Sequence, residues 1–315
     1  MHRLAGVLSA LAVIAVGALL LAGGAEAFAE HVVAAARGVG LSAFGLALLV
    51  AGAEPEEAWT ASVAAYRERP DLAAGDVIGA NLVISTLTLG LLAFTVPFVV
   101  TRTVGRYAMV AAVTAAAALL VVSDHSVSRP EGGVLIGAYL LVVALLWRSE
   151  RRPPAIGEMA EMAEHGDVPP SKAALGWVIG GLTVMVAGGL VAVEGAQRFV
   201  SRSGLSDSTV GLTLLALATS AEMLALVWSA HRRGIGEVAL AGVLGALAYN
   251  ATVSLGVAGL VRPLALGDGP ALIAVAAVVV ATMTAVALAY RRRIGRLVGA
   301  ALVLAYALAV ALLLR

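Results

Sequence analysis

Three glutamates, Glu54, Glu56 and Glu57, follow directly on the apolar run GLALLVAGA, and a fourth, Glu222, closes the related run GLTLLALATSA. A carboxylate at bilayer depth costs about 2.5–3.5 kcal/mol or more on insertion scales, so it persists only where something offsets its charge. Bound cations or protons do so. Neutral oxygens accompany both groups of acids. Thr219 and Ser220 precede Glu222, while Asn81, Ser85, Thr86 and Thr88 lie downstream of the first group as Asn250, Thr252 and Ser254 lie downstream of the second. An oxygen-only donor set suits hard cations such as Na⁺ or Ca²⁺ rather than Zn²⁺ or Cu²⁺. The chain has no cysteine, which removes thiolate metal sites, disulfides and cysteine nucleophiles.

These residues must be positioned by membrane helices. Hydrophobic residues make up 61% of the 315, charged residues 13%, and mean hydropathy is +0.97, beyond the range of soluble domains. Apolar runs near the ~20 residues that span a bilayer fall at roughly 5–36, 42–66, 73–99, 104–122, 132–148, 173–200, 208–230, 236–261, 270–290 and 294–314. The expected fold is an all-α integral membrane protein of ten transmembrane helices.

The runs repeat. Residues 45–90 lie over 211–256 without a gap, at a constant offset of 166, with fourteen of forty-six positions identical. GLALLVAGAEPEEAW faces GLTLLALATSAEMLA, and AAGDVIGANLVISTLTLG faces LAGVLGALAYNATVSLG, with Ala74, the second residue of the former, in register with Leu240. Five spans per half is an odd number, so the two copies insert in opposite orientations, the inverted-repeat plan of many secondary transporters. The expected division is 1–148 and 173–315, with 149–172 as a cytoplasmic linker that carries paired prolines at both ends. Lys and Arg concentrate on the side of that linker, around Arg102, Arg148, Arg232 and Arg291, so both termini are expected outside the cytoplasm, in a cell (inner) membrane. The first run resembles a signal peptide locally, yet its repeat counterpart at 176–203 is an internal helix, which argues that it stays. Gly52 and Pro55 weaken the second span beside the acids, and a broken helix frees carbonyls for a cation. Gly75, Gly79, Gly242 and Gly245 are read as close-packing positions. Glu26, Glu30 and Glu194 are read as structural, paired near the interface with Arg37 and Arg198. His31 is read as a helix-packing residue and His165 as solvated. No basic, aromatic-interleaved patch suggests a nucleic-acid partner.

The residues also resemble a known pattern. The sodium/calcium exchanger superfamily of cation antiporters carries two inverted repeats, each with a G-[ST]-x-x-P-E-like signature followed by a G-[SN]-x-x-G-S-N-like helix. GLTLLALATSAEM with the helix ending GALAYN looks like the second repeat, and AYRERPDLAAGDVIGAN is similar to part of the first. In that family the final glutamate of each signature binds the ion. Carried over without gaps, the resemblance places these on Glu57 and Met223. The family serine one turn earlier falls on Glu54 and Ser220, and the family proline on Glu56 and Glu222. The later serine becomes Ala80 and Ala246, and the following asparagines survive as Asn81 and Asn250. A thioether is a poor ligand for a hard cation, so either Glu54 replaces the charge missing at Met223, or Glu56 and Glu222 turn inward together where the helices are unwound.

The expected site therefore comprises Glu54, Glu56, Glu57, Asn81, Thr219, Ser220, Glu222 and Asn250. The expected activity is exchange of Na⁺ or H⁺ against Ca²⁺ or another cation by alternating access. The partners are then inorganic cations and the lipid bilayer, with no cofactor. A transport-inactive relative acting as a membrane scaffold or regulator is the alternative reading. An enzyme is disfavoured by the absence of HExxH, cysteine or a Ser/His pair. The oligomeric state is not encoded in any pattern found.

Overall fold

Prolines open the two helices nearest the first group of acids, as expected for a residue that lacks an N–H and fixes φ at the first helical position. In the computed structural model the described residues are 2–38, 54–150, 169, 171–221, 223–224 and 236–315. Pro55 is the first residue of α2 (Pro55–Tyr66), with Glu54 at its N-cap, and Pro70 is the first of α3 (Pro70–Leu82). A long α1 (His2–Gly38) precedes them. After α3 come a π-helical segment π1 (Val83–Thr88), α4 (Leu89–Thr95), β1 (Phe98–Val99), α5 (Arg102–Val122), β2 (Ser126–Val127) and α6 (Arg129–Glu150). The second half runs α7 (Ala174–Ser203), α8 (Asp207–Val210), π2 (Gly211–Leu215), α9 (Ala216–Thr219), α10 (Gly236–Tyr249), π3 (Asn250–Ser254), α11 (Leu255–Val261), β3 (Leu264–Ala265), α12 (Gly269–Leu288), β4 (Arg293–Ile294) and α13 (Arg296–Leu313).

Eight helices among the described residues are long and apolar enough to cross a membrane. The expected second and seventh spans, 42–66 and 208–230, run partly outside the described residues. What is described of them is α2 and the short apolar helix Asp207–Thr219. Two spans are enclosed by the others: Pro70–Thr95 is 83% buried and Leu240–Val261 is 89% buried, while none of the remaining six exceeds 44%. These two central spans carry Asn81 and Asn250. On the outside, α13 turns Leu297, Leu304, Leu308 and Leu312 outward, the face a lipid-exposed helix presents. The only strands described are two-residue pairs at opposite ends of α5: Phe98 opposite Ile294 and Val99 opposite Arg293 at one end, and Ser126 opposite Ala265 and Val127 opposite Leu264 at the other.

Three π segments were not foreseen from sequence. One extra residue per turn widens the helix locally, a distortion that occurs mostly at functional sites. Here π1 begins two residues after Asn81, π3 begins at Asn250, and π2 lies one turn before Thr219.

Small residues set how closely the helices cross. α1 packs along α7, and glycines seven apart on both helices form the seam. A Cβ on Gly188 would lie 2.6 Å from the Leu21 amide nitrogen, one on Gly195 2.7 Å from that of Ile14, and one on Gly181 2.7 Å from the Gly24 carbonyl oxygen. A second seam lets α3 cross π2. A Cβ on Gly79 would lie 2.7 Å from the Leu212 backbone, and one on Gly211 would lie 2.8 Å from the Leu72 carbonyl and 3.0 Å from the Asp76 amide. Without hydrophobic drive between helices in lipid, such backbone proximity is a main source of association.

The seam makes opposite expectations for two nearby glycines. Gly188→Ala should lower the melting temperature of the detergent-solubilised protein by several degrees, corresponding to an overpacking cost of about 1–3 kcal/mol. Gly180→Ala, whose new Cβ would meet nothing within 4 Å, should leave it unchanged or raise it slightly, since alanine is the better helix former by about 0.5–1 kcal/mol.

Candidate functional site

The acids of the first signature lie at a helix start inside the bundle. Glu54, Glu56 and Glu57 are 1%, 1% and 0% exposed. Glu56 and Glu57 occupy the first turn of α2, where the helix dipole favours negative charge. Tyr66 at the far end of α2 is exposed. The twelve residues of this helix span about 18 Å, which is more than half of the ~30 Å hydrocarbon thickness.

The second signature meets the first at the end of α9. Ser220, the residue after α9, donates its hydroxyl to Glu57 Oε1 at 3.0 Å. Thr219 places its hydroxyl 3.2 Å from Asp76 Oδ1 on α3. The same hydroxyl lies 3.2 Å from the carbonyl oxygens of Leu215 and of Ala216. Since one hydroxyl has one proton, the three acceptors share it. Both contacts are fully buried and join residues from opposite halves of the chain.

The asparagines differ in what they do. Asn81 donates from Nδ2 to the Leu247 carbonyl at 3.2 Å, while its Oδ1 has no hydrogen-bond partner. It is the one polar residue lining a crevice, with room for about one water, whose other walls include Val77, Ile78, Ala251 and Leu255. Asn250 accepts the Ser254 hydroxyl at 3.1 Å on Oδ1, and its Nδ2 has no partner. Ser85 and Thr86 return their hydroxyls to the Leu82 carbonyl, and Thr252 returns its own to that of Ala248. These three are satisfied within their own helices.

Of the expected set, the structure joins Glu57 with Ser220 and buries Glu54, Glu56, Asn81, Thr219 and Asn250 in the same bundle. Glu222 lies outside the described residues. Met223 is fully buried. Among the described residues no three acidic or histidine side chains converge tightly enough to hold one metal ion by themselves. Carboxylates are met by hydroxyls instead. Of the residues read as structural, Glu194 bridges Arg67 at 2.7 Å and Arg198 at 2.9 Å, and His31 stacks on Trp177 with ring centroids 5.3 Å apart, while Glu26 and Glu30 are exposed.

Asp76 is the residue that sequence reasoning missed. It is 0% exposed and lies in the motif GDVIGAN that was already singled out. Its own signal was an acid inside a continuous apolar span. A search guided by the repeat passes over it, because its counterpart 166 positions on is Gly242.

With this geometry established, known proteins give a consistent answer. Residues 9–148 and 173–315 match the family of the sodium/calcium exchanger protein. The chain belongs to that family. Among curated relatives, the putative antiporter CaxA of Alkalimonas amylolytica is 28% identical over 300 residues, covering 92% of this chain and 94% of its own. The inner membrane protein YrbG of Escherichia coli K12 is 28% identical over 271 residues, or 81% of each chain. Among solved structures, the sodium-calcium exchanger NCX_Mj soaked with Na⁺ and Sr²⁺ superposes with a TM-score of 0.63 at 25% identity, covering 97% of this chain and 99% of that one. This exchanger-family chain therefore shares its membrane helix arrangement with a structure studied in the presence of exchanged ions.

The buried Ser220–Glu57 contact is directly testable for structural weight. Ser220→Ala should destabilise the protein by about 1–3 kcal/mol, because it withdraws a donor from a buried carboxylate oxygen. Ser220→Thr, which keeps the hydroxyl, should recover most of that loss in the same thermal unfolding assay.

Proposed function

We propose that the chain is a cation antiporter that exchanges Na⁺ or H⁺ for Ca²⁺ or another cation by alternating access at an acidic site near the membrane midplane. One observation carries the reading: acids of the first half meet hydroxyls of the second half in a fully buried place, Glu57 with Ser220 and Asp76 with Thr219. Such a centre is all oxygen, as a hard cation requires. Relative movement of the halves would open it to one side or the other. Two ions that use the same carboxylates displace one another, which is exchange. The names of CaxA and NCX_Mj, an antiporter and a sodium-calcium exchanger, support the same class.

The plan we infer is ten spans in two inverted five-helix repeats, 1–148 and 173–315, joined by a linker at 149–172, with both termini outside the cytoplasm of a cell-membrane protein. Several features favour it. Asn81 binds the carbonyl of Leu247, its own counterpart at the offset of 166. The β1–β4 and β2–β3 pairs are counterparts of one another at offsets of 166 and 167. His125 and Arg291, also 166 apart, share a left-handed backbone with φ of 66° and 63°. The depth of Glu56 and Glu57, about 14–15 Å of helix from exposed Tyr66, agrees with a site far from either surface.

The proposal assigns the ion site to Glu54, Glu56, Glu57, Glu222 and Asp76 as charged oxygens and to Thr219, Ser220, Asn81 and Asn250 as neutral ones. No resident cofactor is needed. The test is flux in proteoliposomes under imposed Na⁺, Ca²⁺ and pH gradients. Wild type should exchange at least one cation pair, and Glu57→Gln should lose at least about tenfold of that rate, the scale of one buried charge contact. Gradient-driven exchange that persists unchanged in Glu57→Gln would remove Glu57 from the site.

A further inference from the structure

We propose that Asp76 is a direct ligand of the transported cation, supplying from α3 the carboxylate that the second signature lacks at Met223. The assignment deepens the antiporter reading and rests on it for the word transported. For the binding itself it rests on the following geometry.

Asp76 is fully buried on one of the two enclosed spans of the bundle. Its Oδ1 has only a share of the single Thr219 proton, and its Oδ2 has no hydrogen-bond partner. A buried carboxylate is ordinarily satisfied on both oxygens, and an acceptor left open in a dry interior marks the place of something else that binds. Glu57 is near enough to interact with it electrostatically. Two like charges in one low-dielectric region are tolerated together only where a proton neutralises one of them or a cation lies between or beside them.

The position of Asp76 explains why this chain dispenses with an acid at Met223. Met223 lies four residues after Thr219 in the chain, and Thr219 is the residue Asp76 reaches. The close crossing at Gly75, Gly79 and Gly211 is what carries α3 near enough to do so. Neither acid has an acidic counterpart at the repeat offset: Glu57 corresponds to Met223 and Asp76 to Gly242. Of the wider acidic set, the two carboxylates that meet hydroxyls, Glu57 and Asp76, both come from the first half, and the hydroxyls that meet them come from the second. The ligand class is a hard cation held by Glu57, Asp76, Thr219 and Ser220, with two negative charges that match either one divalent ion or two monovalent ones.

Asp76→Asn separates this role from a structural one, because the amide oxygen still accepts from Thr219 while the charge is gone. The measurement is binding of Ca²⁺ and of Na⁺ to purified protein, by calorimetry and by cation-dependent thermal shift, alongside exchange in proteoliposomes. Asp76→Asn should keep the cation-free melting temperature and weaken binding at least about tenfold. Adding Met223→Glu should restore part of the affinity. Binding in Asp76→Asn equal to wild type overturns the assignment, as does a wild type that binds neither cation. A wild type that binds but does not exchange overturns antiport and leaves the ligand assignment standing if Asp76→Asn loses binding. Should Asp76→Asn fail to fold, Asp76→Glu decides. A ligand carboxylate on an arm one methylene longer changes the Ca²⁺ to Na⁺ affinity ratio by about tenfold or more, and an unchanged ratio overturns the proposal.

Discussion

Negative charge buried in the middle of an apolar helix bundle is the constraint on which the rest of this structure depends. Glu54, Glu56, Glu57 and Asp76 are all at most 1% exposed, in a chain whose remaining composition is overwhelmingly aliphatic. The energetic cost of such groups is several kcal/mol each unless they are offset. Several unusual local features of the fold lie on or against the helices that carry them: the helix start at Pro55, the three π segments, and the glycine crossing of α3 over π2. Each of these brings polar atoms to a place where regular helices would present only side-chain methyls.

The division of labour between helices follows from the same constraint. The two most buried spans, Pro70–Thr95 and Leu240–Val261, hold the asparagines and Asp76, and the other spans shield them. α1 and α7 stand as a glycine-seamed pair that touches the centre through α2. That pair also carries an interfacial ion-pair network, Arg67 with Glu194 and Arg198, with side chains 29–50% exposed. Ion pairs this exposed contribute little to stability, and their value is to orient the end of α2 against α7. Hydroxyls in the central spans are of two kinds. Ser85, Thr86 and Thr252 return to their own helices, whereas Thr219 and Ser220 reach across to acids of the other half. Residue type alone does not distinguish these, since a hydroxyl three or four residues after any helical carbonyl can fold back on it.

Membrane class, helical architecture, the absence of cysteine chemistry and the location of the first acids were all legible in the sequence, because composition and the 166-residue repeat are one-dimensional properties. Family membership was legible for the same reason, since the signatures stand in order along the chain. Which acid opposes which hydroxyl was not. Ser220 meets Glu57, and Thr219 meets Asp76. Aligning the repeat pairs Ser220 instead with Glu54, because alignment matches positions along the chain and carries no information on which side chains the packed helices bring together. Asp76 escaped notice because the symmetry that exposed the other acids hides an acid whose counterpart is glycine. The π segments escaped because one extra residue per turn leaves no periodic mark in an all-apolar run.

By itself, then, the sequence determined that this protein is a bundle of membrane helices with acids and oxygens concentrated in two repeated signatures, since hydrophobic length and repetition need only the order of residues. Tertiary structure alone decided that Thr219 faces Asp76 and Ser220 faces Glu57 across helices that lie far apart in the chain. The physical reason is that this proximity depends on backbones closing to within van der Waals contact at Gly75, Gly79 and Gly211, a distance that exists only once the two halves have packed.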